Sequence, residues 1–101
     1  MYYCQITNFN QITLEGEEKR WKLEKFQFKL DQTKNAMVFG STGYFAGSVN
    51  ELNTLRTFPS QDKWFANSTY SITYFKKGKL FDTSNVGSLG ITSISADCDK
   101  F

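Results

Sequence analysis

The residues that most often carry out catalysis are scarce in this chain of 101 residues. It contains no histidine, the side chain used most widely to move protons near neutral pH and to activate serine or cysteine nucleophiles. One cysteine, Cys98, lies between Asp97 and Asp99, whose negative charges would disfavour the reactive thiolate form. We therefore expect that the protein is not an enzyme, although its ten Asp and Glu residues keep a carboxylate-based enzyme open as a third hypothesis.

Motifs for cofactors and metals are also missing from the sequence. A phosphate-binding loop would end in Gly-Lys-Ser or Gly-Lys-Thr, whereas the glycine-rich segment ends in Gly-Ser-Val at residues 47–49. Its glycines indicate turn or bulge geometry instead. Two cysteines without histidine do not make a zinc site, and the acidic pair around Cys98 has no further oxygen ligands nearby in the sequence. We expect no cofactor and no metal.

The two cysteines, Cys4 and Cys98, lie near opposite ends of the chain, on the apolar faces of the first and last predicted strands. We expect two buried free thiols in a reducing compartment, because the sequence cannot show that these two strands are neighbours. The alternative is a disulfide that joins the first strand to the last. In the chain-entropy model, a bond closing a loop of this length stabilises the fold by about 4 kcal/mol.

One cluster of positive charge, formed by Lys76, Lys77 and Lys79, raises the hypothesis of a protein that binds single-stranded nucleic acid. The lysines would contact phosphates, and exposed aromatic rings would stack on bases. The net charge is only +2, and the densest charged stretch, residues 15–31, contains five basic and five acidic residues. We therefore predict that the lysines form the solvated tip of a hairpin and that nucleic acid is not the partner.

Aromatic residues make up 17% of the chain, which is a high share. Those at strand spacing are predicted to be core: Phe26, Phe28, Phe39, Tyr70 and Tyr74. Those in or beside irregular segments are predicted to form a loop aromatic patch: Tyr44, Phe45, Phe58, Trp64 and Phe65. We expect a small non-catalytic binding or interaction protein that engages a protein partner or a small apolar ligand through this patch. A homodimer through an edge strand such as residues 11–15 is a further expectation.

Aromatic and β-branched residues far outnumber alanine, leucine and methionine, so the composition favours strands. Alternating apolar residues predict seven strands, over residues 2–7, 11–15, 20–31, 36–39, 69–76, 79–83 and 89–98. In the third of these strands, Trp21 and Leu23 are on odd positions but Phe26 is on an even one. A β-bulge near Glu24 would bring all of them to one face. A helix over residues 15–25, supported by pairs of opposite charge at i,i+4, is the competing interpretation.

Two connections have recognisable local signals. Ser48 and Glu51 match a capping box, and the apolar spacing that follows predicts a short helix that ends before Pro59. Lys77-Gly78 suits a two-residue hairpin turn, in which Lys76 would pair with Lys79 and Phe75 with Leu80.

Together these elements predict a mainly β protein: an antiparallel curved sheet, arranged as a sandwich or partly closed barrel, with one short helix. An α+β fold, with the helix packed on an antiparallel sheet, is the alternative. We expect a single domain over residues 1–101, without a membrane-spanning segment, because the length suits one domain and no apolar run reaches 18 residues. No signal peptide is visible, so we expect a cytoplasmic protein if Met1 is the native start and a secreted one if a signal was removed.

Overall fold

A computed structural model describes residues 1–85 and 90–100 of the chain. Its strands are β1 (Tyr2–Ile12), β2 (Glu18–Arg20), β3 (Lys25–Asp31), β4 (Ala36–Phe39), β5 (Val49–Leu52), β6 (Lys63–Asn67), β7 (Ser71–Lys76), β8 (Lys79–Asn85) and β9 (Ile91–Lys100). A single 3₁₀ turn at Pro59–Gln61 is the one helical element of the described residues. The prediction of a mainly β, antiparallel fold is confirmed, and within the described part no helix is long and apolar enough to cross a membrane.

The sheet closes on itself because the first strand pairs with the last. Neighbouring strands pair in the order β3 to β9, and β1 joins the two ends by pairing with β3 on one side and β9 on the other. Eight strands therefore form a barrel. The short strand β2 pairs with the last residues of β1, on the edge of β1 whose first residues pair with β3. Of the predicted arrangements, the barrel is the one that the chain adopts.

A β-bulge allows β1 to supply core residues along its whole length, but it is not where the sequence suggested. The register between β1 and β9 shifts between Ile6 and Asn8, so the extra residue is Thr7. Ile6 is buried before the bulge and Phe9 after it, although their positions differ in parity. The predicted bulge near Glu24 is wrong, because β2 and β3 pair with β1 in one unbroken register and both Trp21 and Leu23 are half exposed. The predicted strands 2–7 and 11–15 are one strand, β1.

The predicted helix after Ser48 is also wrong, since this segment forms β5. Asn50 and Leu52 are buried while Val49 and Glu51 are exposed, which is the two-residue period of a strand. β5 pairs with β4 and β6, and the Ser48 carbonyl accepts a hydrogen bond from the Phe39 amide at 2.9 Å. The backbone of this segment thus forms the hydrogen bonds of a sheet and not those of a helix. The competing helix over residues 15–25 is excluded by β2 in the same way.

The interior of the barrel is arranged in layers that follow the strand register. Near the end where the chain begins, one layer is apolar and contains Ile6, Trp64, Phe75, Leu80 and Ala96. The next layer is mixed and contains Phe9, Ala66, Thr73, Asp82 and Ile94. The opposite wall contributes Phe26, Phe28 and Phe39, which are buried as predicted.

The prediction that Tyr70 and Tyr74 belong to the core is wrong. Thr73 and Phe75 on β7 face the interior of the barrel, so Tyr74 between them lies on the outer wall and is half-buried. Tyr70, just before β7, is 66% exposed. The outward residues Ile72 and Tyr74 are both large, whereas the inward set contains Ser71 and Thr73 beside Phe75. The local pattern therefore could not decide which set faces inward.

The hairpin between β7 and β8 is as predicted. Lys77 and Gly78 have φ values of 48° and 82°, the left-handed conformations of a tight two-residue turn. Lys76 pairs with Lys79, and Phe75 pairs with Leu80. The predicted loop over residues 84–88 begins inside β8, and its residues 86–88, like residue 89 of the last predicted strand, lie outside the described residues.

Candidate functional site

The two ends of the barrel differ in chemistry. At the end where β1 begins, Cys4 and Cys98 are directly opposite each other on β1 and β9 and form a disulfide, so the expected free thiols are not present. We call this the disulfide end. At the other end of the barrel, the last layer of inward-facing residues is polar. This mouth layer consists of Gln11, Ser71, Ser84 and Thr92, which follow one another across β1, β7, β8 and β9.

Beside the mouth layer lies a cavity of about 360 Å³, which we call the aromatic pocket. Its rings are Phe9, Trp21 and Tyr44, and it is completed by Gln11, Lys22, Glu24 and Thr92. Tyr44 meets Phe9 edge to face at a centroid distance of 4.9 Å, and Trp21 lies 6.4 Å from Phe9. Trp21 is 51% exposed and Tyr44 is 40% exposed, so two rings of the pocket are accessible to solvent. This volume and lining are typical of sites for small molecules.

Trp21 is held in the pocket by two hydrogen bonds to β1. Its backbone amide donates to the Phe9 carbonyl at 2.9 Å, and its indole Nε1–H donates to Gln11 Oε1, also at 2.9 Å. Both contacts exist because β2 ends at Arg20 and the chain then runs beside β1 before β3 begins. These two hydrogen bonds fix the orientation of the Trp21 ring.

Tyr44 comes from the loop between β4 and β5, which folds across the mouth. The neighbouring Phe45 anchors this loop in the core, with its ring centroid 4.8 Å from Phe26 and 4.6 Å from Phe39. The Tyr44 hydroxyl lies 3.1 Å from Ser84 Oγ and 3.3 Å from Thr92 Oγ1. These contacts connect the loop to the mouth layer and place the Tyr44 ring across the opening of the barrel.

Behind Tyr44 is a second, smaller cavity of about 190 Å³, which we call the inner cavity. Its lining is mostly polar: Tyr44, Phe45, Ser48, Asn50, Ser68, Ser71, Asp82 and Ser84. Tyr44 lines both the inner cavity and the aromatic pocket. The side chain of one tyrosine is thus a shared wall between an aromatic site and a polar one.

Asp82 is the charged group of the inner cavity and is only 2% exposed. It accepts a hydrogen bond from Thr73 Oγ1 at 2.6 Å, and Thr73 in turn accepts one from Asn50 Nδ2 at 3.0 Å. Burial raises the pKa of Asp82 to about 6, and the hydrogen bond from Thr73 opposes this shift. In the part of the chain that the structure describes, the two salt bridges are Arg20–Glu18 and Lys79–Asp97, so neither neutralises Asp82.

The structure does not bring the five residues of the predicted aromatic patch together. Tyr44 and Phe45 are adjacent at the mouth, but Trp64 is buried in the apolar layer of the barrel. Phe65 lies on the outer wall, 5.1 Å below the Arg56 guanidinium. Phe58 is 48% exposed and is bridged to Lys63, at the start of β6.

Sequence reasoning missed the two other rings of the aromatic pocket. Phe9 lies between the predicted strands 2–7 and 11–15, because the bulge at Thr7 hides the continuity of β1. Trp21 was assigned to a continuous strand with Phe26. The conflict in parity between these two residues was a usable signal, since two rings of different parity cannot share one face of a regular strand.

The lysine cluster lies at the disulfide end, away from the aromatic pocket. Lys76 is opposite both Lys63 and Lys79 in the sheet, and the Lys79 amine forms a salt bridge with Asp97. The contact of Lys76, Lys77 and Lys79 with phosphates stays the alternative hypothesis that the sequence raised.

A larger cavity of about 630 Å³ opens across the rim of the barrel beside the turn between β6 and β7. It is lined mainly by hydroxyl and amide side chains, and its one aromatic residue is Tyr70. It lacks the converging rings of the aromatic pocket.

Within residues 1–85 and 90–100, no three His, Cys, Asp or Glu side chains are grouped as a metal site would require.

Comparisons of the chain with protein-family models, with curated proteins and with solved structures find no match. What can be said about function therefore comes from the geometry of the mouth. The described residues form a small β-barrel with a cluster of aromatic side chains at one end, an arrangement that fits a binding module.

Proposed function

We propose that this protein is a non-catalytic module that binds a small ligand through a planar apolar ring. The observation that carries the proposal is the aromatic pocket, in which Phe9, Trp21 and Tyr44 surround about 360 Å³ that is open to solvent. Aromatic rings supply a large apolar contact and favour offset or edge-to-face packing with another ring. A ligand with one or two fused rings matches the volume.

The surroundings of the aromatic pocket support a binding role and not a catalytic one. The Trp21 ring is fixed by Gln11, and Tyr44 is fixed by Ser84 and Thr92, so the contact surface is organised in advance. The charged groups at the pocket, Lys22 and Glu24, are neighbours of Trp21 on the outer connection between β2 and β3. They would select among polar substituents of a bound ring.

Titration of the ¹⁵N-labelled protein with indole, quinoline and phenol, followed by NMR, tests this proposal. We expect at least one of these ring fragments to shift the Trp21 indole Nε1–H signal together with the amide signals of Lys22, Tyr44 and Thr92. Trp21→Ala and Tyr44→Ala should each weaken binding at least tenfold, because each removes one wall of the pocket.

Phe65→Ala is the matched control for these variants, since it removes a ring from the outer wall of the barrel. Its affinity for the fragments should equal that of the wild type. The proposal fails if none of the three fragments binds, if the shifts map to another surface, or if Trp21→Ala binds as tightly as the wild type.

A further inference from the structure

We infer that the ligand carries a protonated amine on a short tether, and that Asp82 receives this amine inside the barrel while the ring occupies the aromatic pocket. The inference rests on the proposed function, because it assigns the chemical class of the ligand at the same mouth. The structural basis is the shared wall: Tyr44 separates the aromatic pocket from the inner cavity that contains Asp82.

The register of the barrel places the two halves of such a site at the same depth. Phe9 is opposite Ile94 on β9, and Ile94 is opposite Asp82 on β8. Paired strands are about 4.8 Å apart, so the backbones of Phe9 and Asp82 are separated by roughly 10 Å. Both side chains point into the barrel, which shortens the gap between them. A ring joined to an amine by two or three carbon atoms can span that gap.

The chemistry of the inner cavity fits an ammonium group. Asp82 is a buried carboxylate, and neither salt bridge of the described residues gives it a positive partner. A buried negative charge is unfavourable until a positive charge compensates it. An ammonium ion brings a positive charge and three hydrogen-bond donors. Besides Asp82, the hydroxyl oxygens of Ser48, Ser71 and Ser84 line the cavity and can accept them. A ligand carboxylate would meet repulsion at the same place.

The Tyr44 hydroxyl can be displaced while Ser84 and Thr92 keep a hydrogen-bond partner. Its hydroxyl is hydrogen-bonded to Ser84 and Thr92, but these two residues are also hydrogen-bonded to each other. The Tyr44 hydroxyl is thus an extra partner, and the amine of a ligand can take its place beside Ser84. The Tyr44 ring remains available as a wall of the aromatic pocket.

Three indole compounds that differ only in the side chain test the inference: tryptamine, indole and indole-3-acetate. Binding of each to the wild type, to Asp82→Asn and to the surface control Asp99→Asn is measured by calorimetry at pH 7.5. We expect tryptamine to bind at least tenfold more tightly than indole, and indole-3-acetate to bind more weakly than indole. Asp82→Asn should abolish the advantage of tryptamine but leave the affinity for indole unchanged, and Asp99→Asn should behave as the wild type.

A second measurement does not depend on the folding of a variant. The ¹³C signal of the Asp82 carboxyl in the wild type should titrate at a lower pH when tryptamine is bound, because a nearby positive charge favours the carboxylate. Indole should not cause this change. If indole binds but tryptamine is no tighter and does not alter the titration, the inference is overturned while the proposed function stands. If none of the three compounds binds, the inference fails, and the proposed function is then decided by the titrations with quinoline and phenol.

Discussion

Cys4 and Cys98 are directly opposite each other in the sheet and form a disulfide, although 94 residues separate them in the chain. The bond lies at the seam where β1 meets β9 and therefore fastens the closure of the barrel. It is at the end of the barrel opposite the aromatic pocket. The disulfide and the proposed binding site thus lie at different ends of the same eight strands.

Removal of the disulfide should destabilise the protein strongly while leaving its topology intact. A cross-link that closes a loop of this length stabilises a fold by about 4 kcal/mol, mainly by restricting the unfolded chain. We expect the double variant Cys4→Ala with Cys98→Ala to lose about this free energy of unfolding, as measured by urea denaturation. The wild type with a reducing agent is the parallel sample. Equal stability of the oxidised and reduced protein would contradict the prediction.

Asp82 should make stability depend on pH in a particular direction. Its pKa is raised from an ordinary value of 3.8 to about 6 in the folded state, so the fold is favoured when the carboxyl is protonated. This contribution is present below about pH 4, is lost between pH 4 and 6, and stays absent above. The groups that face Asp82 in register, Thr73 and Ile94, are neutral and do not alter the sign.

Asp82→Asn removes this charge and should therefore be more stable than the wild type above pH 6. A rise of the pKa from 3.8 to about 6 corresponds to at most about 3 kcal/mol, and the difference in stability should shrink towards zero below pH 4. Thermal unfolding of both proteins between pH 3 and 8 measures it. A variant that is less stable than the wild type at pH 7.5 would show that the ionised carboxylate stabilises the fold.

The Tyr44 hydroxyl should hold the loop between β4 and β5 across the mouth. Tyr44→Phe keeps the ring on Phe9 but removes the contacts with Ser84 and Thr92, and neutral hydrogen bonds of this kind contribute about 1 kcal/mol. We expect faster amide hydrogen exchange over residues 41–47 and a small loss of global stability. Tyr70→Phe, on an exposed tyrosine, is the control. Unchanged exchange in the loop would show that Phe45 alone secures it.

Trp64 and Phe65 are neighbours in the sequence but should respond very differently to substitution. Trp64 is 7% exposed and packs inside the barrel, so Trp64→Ala should cost about 3–5 kcal/mol of unfolding free energy. Phe65 is on the outer wall, and Phe65→Ala should cost less than half as much. Urea denaturation of the two variants compares them directly. Similar losses would mean that the two rings do not lie on opposite faces of β6.

Several elements could be predicted because their signals are local. The alternation around Phe26 and Phe28 gives a strand with a buried face, and Lys77-Gly78 gives a tight turn, whatever the rest of the chain does. The segment after Ser48 was wrongly predicted as a helix. A strand of four residues is too short to distinguish a spacing of two between buried residues from a spacing of three or four. Its pairing with β4 and β6 then decided in favour of a strand.

The candidate site was harder to predict because its members come from distant parts of the chain. Tyr44 was predicted as a binding residue since it is an aromatic residue in a glycine-rich loop. Phe9 and Trp21 join it only because β1 continues past its bulge and the chain folds back beside it. Asp82 occupies an ordinary inward position of β8, and nothing in its neighbourhood in the sequence marks it as buried.

By itself, the sequence determined that this chain forms short antiparallel strands, many of whose aromatic side chains pack in a shared interior. The periodicity of near neighbours is enough for that. Only the tertiary structure decided which strands meet at the seam, which face of β7 turns inward and which residues line the mouth. These outcomes depend on closure of the barrel, a pairing between the first and last strands that no local pattern encodes.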